Sequence, residues 1–371
     1  MADATLPEDI MVLILRLLPV KSLIRFTCVS KRIHFIILSD PKFAKSQLEA
    51  ARDRKTLDHR LLYNTTIHPL NRRVRDSTIS TRLESLLLET TSFGYSSSVR
   101  RLKYPFRPPA GNDLLLGSCN GIVFLAFDKK VFYAWNPSTG FYNELPDPGN
   151  LCDQQYCFRS GVGYLSATNE FKVFIASDQT RYGIFSSRAQ TWKRLEVIPE
   201  SCLYSPRGTL LNEALHWIDH DNGLMVFDLA QEKFRKMALP KFDERGLNQW
   251  GNLGVSADGC LSFAYSTKAA RDCLCVWVMK EYGVLDSWTK LFNLFSNPPE
   301  GLWGYGSVLV LETSIVSHIY TITKVDDCNY ANVKGWIKIL HKEEDKCGMY
   351  MVEGFDLKMI QYQETLLRLD D

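Results

Sequence analysis

At 371 residues, with 45% hydrophobic and 23% charged side chains, the chain has a globular composition and the length for two or three domains. No apolar run approaches the ~18–20 residues of a membrane-spanning helix, so no membrane partner is expected. The net charge of +2 hides an asymmetry, because residues 1–110 carry 19 Lys+Arg against 10 Asp+Glu and the remainder is net acidic by 7. 

The first fifty residues predict short helices. Thr5 followed by Glu8 has the spacing of a capping box, and Pro7 suits a first helical turn because its missing N–H would have no partner there. Ile10, Leu13, Ile14, Leu17 and Leu18 then form one apolar stripe at helical spacing, which Pro19 ends. Apolar residues enough for about four further short helices follow, and a piece this small cannot bury such a stripe alone, so a partner surface is expected. Asp40 and Pro41 read as N-cap and first residue of a last helix running toward Ala51. Residues 51–60 are highly charged and mark a connection between a helical unit, 1–50, and the rest, 61–371.

Beyond the connection the pattern becomes strand and turn. Four segments share an apolar strand, a polar turn and an aromatic residue, with the aromatics Phe141, Trp192, Phe234 and Trp288 spaced 51, 42 and 54 residues apart. Such periods in an all-strand chain point to the blades of a β-propeller, about six of them at about 45 residues each. The expected fold is therefore α+β multidomain: a small all-α unit followed by an all-β propeller-like domain.

The helical segment resembles the F-box of ubiquitin-ligase receptor subunits. Leu6-Pro7-Glu8-Asp9-Ile10, Leu17-Leu18-Pro19-Val20-Lys21-Ser22-Leu23, Arg25-Phe26, Cys28-Val29-Ser30-Lys31 and Ser39-Asp40-Pro41 carry the resemblance, with Ile33 where that family usually has tryptophan. The later segments are similar to the F-box-associated domain of plant F-box proteins, a group that includes S-locus F-box and F-box/kelch-repeat receptors. Their signposts here are Gly117-Ser118-Cys119-Asn120-Gly121-Ile122, Trp135-Asn136-Pro137-Ser138-Thr139-Gly140, Gly161-Val162-Gly163-Tyr164 and Leu215-His216-Trp217. Asn212-Glu213 replaces the usual Asn-Gly of that family, leaving a tight turn there without its glycine.

The resemblance implies a non-catalytic substrate-receptor subunit of an SCF-type cullin–RING ubiquitin ligase. Leu6, Pro7, Ile10, Leu13, Ile14, Leu17, Leu18, Pro19, Leu23 and Val29 would then dock a Skp-family adaptor, and through it a cullin. A target protein would be held by the propeller, and the likeness to S-locus receptors allows a secreted ribonuclease among its targets. Three loops out of step with the repeat, 147–158, 242–252 and 294–305, supply Tyr156, Arg159 just beyond the first, Arg245, Trp250 and Trp303 as candidate target contacts, residue types that dominate protein interfaces. The alternatives are a protein-binding scaffold without ligase assembly, and a propeller hydrolase.

Other chemistry finds little support. His216 and His220 have the spacing of a zinc protease helix, but Trp217 stands where the catalytic Glu would be and the context is strand and turn, so no metal is expected. The ten cysteines are scattered and read as reduced thiols. The basic run Arg72-Arg73-Val74-Arg75 lacks interleaved aromatics, which argues against nucleic acid. No cofactor is implied. The N-terminus shows no secretory pattern, and a cytoplasmic and/or nuclear location is expected.

Overall fold

Four helices are cut from the first part of the chain by its prolines and capping residues. They are α1 (Glu8–Arg16), α2 (Val20–Phe26), α3 (Lys31–Ser39) and α4 (Pro41–Asp53), so three helices follow the first rather than four. Ser30 caps α3 by accepting from the Ile33 N–H, and Asp40 caps α4 by accepting from the Lys42 N–H, with Pro41 opening that helix. Thr5 of the expected capping box lies outside the described residues. Pro7 is the N-cap, which makes Glu8 the first helical residue, and its carboxylate pairs with Arg32 of α3.

The structure is a computed structural model that describes residues 7–67, 80–87, 99–109, 113–151, 158–177, 181–196, 203–221, 223–240, 251–256, 258–266, 273–295, 302–310, 314–326, 329–341, 347–353 and 358–370. After α4 it consists of four-stranded antiparallel sheets. The chain first lays down β1 (His59–Ile67), β2 (Ser80–Leu87) and β3 (Val99–Arg101). The second sheet is β4 (Asp113–Cys119), β5 (Ile122–Phe127), β6 (Val131–Trp135) and β7 (Tyr142–Leu145). The third is β8 (Arg159–Leu165), β9 (Glu170–Ala176), β10 (Tyr182–Ser186) and β11 (Thr191–Leu195). The fourth is β12 (Thr209–Leu211), β13 (Ala214–Ile218), β14 (Leu224–Asp228) and β15 (Lys233–Met237). The fifth is β16 (Asn252–Val255), β17 (Leu261–Ser266), β18 (Cys273–Met279) and β19 (Trp288–Phe295). The sixth is β20 (Leu302–Val310), β21 (Ser314–Asp326), β22 (Asn329–His341) and β23 (Cys347–Glu353).

Five of these sheets are made from consecutive strands. The first is composite, because β24 (Lys358–Gln363) from the far end of the chain pairs with β1, from His59 against Gln363 to Asn64 against Lys358. The first strands of successive sheets lie against one another, β24 on β4, β4 on β8, and so on through β12, β16 and β20 back to β24. The result is a closed β-propeller in which both termini share a sheet, and closure leaves only short, protected edges.

The periodic aromatics fall at the start of the outermost strands. Phe141 precedes β7, Trp192 and Phe234 lie in β11 and β15, and Trp288 opens β19. Trp192 donates its indole N–H to Pro146 O (2.7 Å) and Trp288 to Ala238 O (3.3 Å), so each pins its outer strand to the end of the preceding sheet.

The helices are not tethered by a loose linker. α4 runs on to Asp53 and β1 begins at His59, so only 54–58 of the charged segment 51–60 is connection. Leu15, Val20, Leu23, Ile36, Ile37, Phe43 and Leu48 of the helices share one core with Leu116, Ile122, Phe124, Val173 and Phe185 of the second and third sheets, and with Leu366, Leu367 and Leu369. Each such side chain fully buried is worth roughly 1.5–3 kcal/mol.

Candidate functional surfaces

The core just described uses only one side of α1. Leu15 is buried and Met11, Val12 and Leu18 pack beside it, whereas Ile10, Leu13, Ile14 and Leu17 are 40%, 51%, 47% and 51% exposed. Those four lie at i, i+3, i+4 and i+7, so they form the stripe read from the sequence, and it faces solvent. Phe26 at the end of α2, Val29 after it and Phe35 on α3 are exposed as well. Glu8 pairing with Arg32 ties the start of α1 to α3 next to Phe35, over whose ring the Arg32 guanidinium sits at 5.8 Å. Apolar side chains concentrated in this way on three short helices mark a surface for a protein partner.

The expected docking residues therefore divide. Ile10, Leu13, Ile14, Leu17, Pro7, Pro19 and Val29 are at the surface, while Leu23 is fully buried and Leu18 packs against the core. Leu6 lies outside the described residues. Phe26 and Phe35 were missed; each is the exposed bulky residue of a helix whose other apolar side chains fill the core, a contrast visible only once the core is known. Ile33, at the tryptophan position, is half-buried against that core.

The propeller presents two ends. The turn at Asn120 and Gly121 belongs to the end on which the helices sit, where Arg52 of α4 donates to Asn120 Oδ1 (2.7 Å). The inner strands β4 and β8 run toward that end, so they start from the opposite one. Arg159 opens β8 there and donates to Leu203 O (2.9 Å) and Phe158 O (3.3 Å). Trp303 lies in β20, whereas Tyr156, Arg245 and Trp250 lie outside the described residues.

The two histidines of the zinc-like spacing part company. His216 is fully buried, its Nδ1 donating to Thr209 O (3.0 Å) and its Nε2 accepting from the Tyr282 hydroxyl (2.8 Å). His220 instead sets its ring edge against Tyr204. Among the described residues no three His, Cys, Asp or Glu side chains gather as a metal site, and no helix is long and apolar enough to cross a membrane. 

The turn lacking its glycine forms nonetheless. Asn212 and Glu213 adopt φ of 51° and 54°, and the Glu213 carboxylate accepts from the Ser166 N–H (2.8 Å) and hydroxyl, contacts that offset the left-handed backbone and hold its carboxyl below the usual range.

Comparison with known proteins is decisive. Residues 4–45 match the F-box domain model and residues 114–356 the F-box associated beta propeller domain model. The chain belongs to the F-box proteins with an F-box-associated β-propeller. It is 30% identical to the Arabidopsis thaliana F-box protein CPR1 over 328 residues, covering 78% of this chain and 73% of that one. It is 27% identical to the Arabidopsis F-box/kelch-repeat protein At3g23880 over 309 residues, covering 78% and 79%. The F-box helices are thus the ones that present the apolar stripe, and the associated propeller is the ring beneath them.

Proposed function

We propose that this F-box protein is the substrate-receptor subunit of an SCF-type cullin–RING ubiquitin ligase, acting in the cytoplasm and/or nucleus. The exposed stripe Ile10, Leu13, Ile14 and Leu17 carries the reading, since among the described residues these side chains face solvent. A Skp-family adaptor fits that face, and a cullin assembles through the adaptor. The end of the propeller remote from the F-box is left for a target protein, with Arg159 there and Tyr156, Arg245, Trp250 and Trp303 as further contacts.

The protein's contribution to ubiquitin transfer on this reading is proximity. It supplies no acid, base or nucleophile and raises the effective concentration of target lysines near the charged enzyme. A shared F-box and propeller core supports this role, because a rigid bridge fixes the distance between adaptor and target. The test is co-elution of the full chain with a purified Skp-family adaptor in size-exclusion chromatography. Wild type is expected to co-elute and Leu13→Asp with Leu17→Asp to elute alone; wild type that fails to bind sinks the assignment.

A further inference from the structure

Arg207 occupies an unusual place. The segment around it adds to the free edge of β8, the edge not paired with β9: Ser160 N–H donates to Pro206 O (3.0 Å) and Gly208 N–H to Ser160 O (2.7 Å). β8 is an innermost strand, so this segment lies on the axial side of the ring. From there the Arg207 side chain reaches β4, the innermost strand of the neighbouring sheet, and donates to Leu115 O at 3.4 Å. It thus bridges the inner edges of the third and second sheets near the end where β8 begins, away from the F-box.

Among the described residues Arg207 meets no counter-charge. A guanidinium has five N–H donors in a rigid fork, and that of Arg207 makes one long bond there, to a carbonyl. Desolvation by the surrounding protein pulls its pKa down to about 10, and no carboxylate among the described residues pairs with it. Arg207 stands in a part of the chain, residues 111–371, that is net acidic by 7, so it is not part of a general basic field.

The mount is rigid. Besides the two backbone bonds to Ser160, Gly208 packs so closely on Trp217 that a Cβ there would lie 2.6 Å from the indole ring. The fork is therefore preorganised, which lowers the entropy cost of taking a ligand.

We propose that Arg207 forms an anion-binding subsite at the end of the propeller remote from the F-box, which takes a carboxylate or phosphate group carried by the captured target. The proposal rests on the receptor reading for the source of the anion, though not for the existence of the subsite. Bidentate capture by an arginine fork suits both groups, and an acidic side chain and a phosphorylated one are separated by the probe used.

Thermal unfolding of the full chain with inorganic phosphate or acetate, against chloride at equal ionic strength, tests it. Binding to the native state alone raises Tm, and phosphate is expected to do so by about 1–2 °C at ten times its Kd. Arg207→Gln should lose that rise while its Tm in chloride stays at or above wild type, since an unpaired cation has been removed. A rise with acetate as well as phosphate assigns an acidic segment, and phosphate alone a phosphorylated one. An equal rise in wild type and Arg207→Gln reflects salt exclusion and overturns the subsite, as does no rise in wild type. Should Arg207→Gln fail to fold, Arg207→Met replaces it, and an undiminished rise there overturns the proposal. Adaptor co-elution measured on the same proteins is expected to be unchanged, so failure of the receptor reading shows as loss of adaptor binding in wild type and leaves the anion result standing.

Discussion

The guanidinium of Arg368 lies over the ring of Phe141, its central carbon 3.6 Å from the ring centroid, and the same side chain donates to Leu38 O at the end of α3. One residue of the C-terminal tail thus touches both the propeller and the F-box. A desolvated cation–π contact is worth about 1–2 kcal/mol, and the hydrogen bond to a charged donor adds a similar amount. Arg368→Ala is expected to lower stability by about 2 kcal/mol and to speed amide hydrogen exchange in α3 more than in β9. Uniform acceleration across the molecule would show that the contact stabilises the ring without fixing the F-box upon it.

The rest of the tail is held by the second sheet. Asn136, buried on β6's end, donates to Thr365 O (3.0 Å) and Leu367 O (2.8 Å) and accepts from the Ser138 N–H (2.8 Å). Thr365 donates its hydroxyl proton to Asn120 O (3.0 Å), and a Cβ on Gly121 would come within 2.8 Å of Gln363 O and closer still to the Thr365 side chain. Gly121→Ala therefore meets both a φ of 81° and a clash, and should cost about 3 kcal/mol in a urea titration. Gly140→Ala has φ of 80° and nothing within 4 Å of the added Cβ, so it should cost only about 1–2 kcal/mol. Equal losses at the two positions would refute the close fit of the tail.

The exposed and buried leucines of the F-box should separate cleanly. Leu13→Asp with Leu17→Asp changes solvent-facing positions and should leave Tm within a degree or two while abolishing adaptor binding. Leu18→Asp puts a charge against the core and Leu23→Ala empties a fully buried site, so each should destabilise by about 2–5 kcal/mol. Pairing Leu17→Asp with Leu18→Asp would mix the two effects. Differential scanning fluorimetry beside the adaptor assay checks the division, and a large Tm loss in Leu13→Asp with Leu17→Asp would contradict the outward stripe.

The propeller was legible because its outer strands repeat one physical task. Trp192 and Trp288 each seal a neighbouring sheet with a ring and an indole hydrogen bond, and a task repeated in space leaves a period in sequence. Which side chains of α1 anchor it on the propeller was not legible. The stripe at Ile10, Leu13, Ile14 and Leu17 has the spacing of a core face, yet the anchor of α1 is Leu15, which lies off it. What decides between the two faces is where Leu116, Phe124 and Leu366 stand, residues about a hundred to about three hundred and fifty positions away whose packing no local pattern reports. Arg207 was hidden for a related reason: its neighbours Ser160 and Leu115 become neighbours only when the inner edges of three sheets meet. At Glu213 a residue ill-suited to its turn is rescued by Ser166, again a contact between sheets.

Acid should expose the buried histidine. Desolvation, aided by the nearby Arg235 cation, lowers the pKa of His216 from 6.5 to about 4 in the folded protein. Between these values the unfolded chain takes up a proton that the native state refuses, so stability is intact above about pH 6.5 and falls as pH drops toward 4, by about 3 kcal/mol in all. Its neighbour holds the neutral form in place: the Tyr282 hydroxyl donates to Nε2 while accepting from Arg235 Nη2 (2.8 Å), so a proton on Nε2 would break that chain of bonds. Glu364 acts with the opposite sign, since burial raises its carboxyl pKa and protonation there favours the folded state. The difference between proteins isolates the histidine. His216→Gln cannot take up the proton, so its urea midpoint should fall less than that of wild type between pH 7 and pH 4.5, whatever its starting stability. Parallel losses in the two proteins would assign the acid sensitivity to other groups.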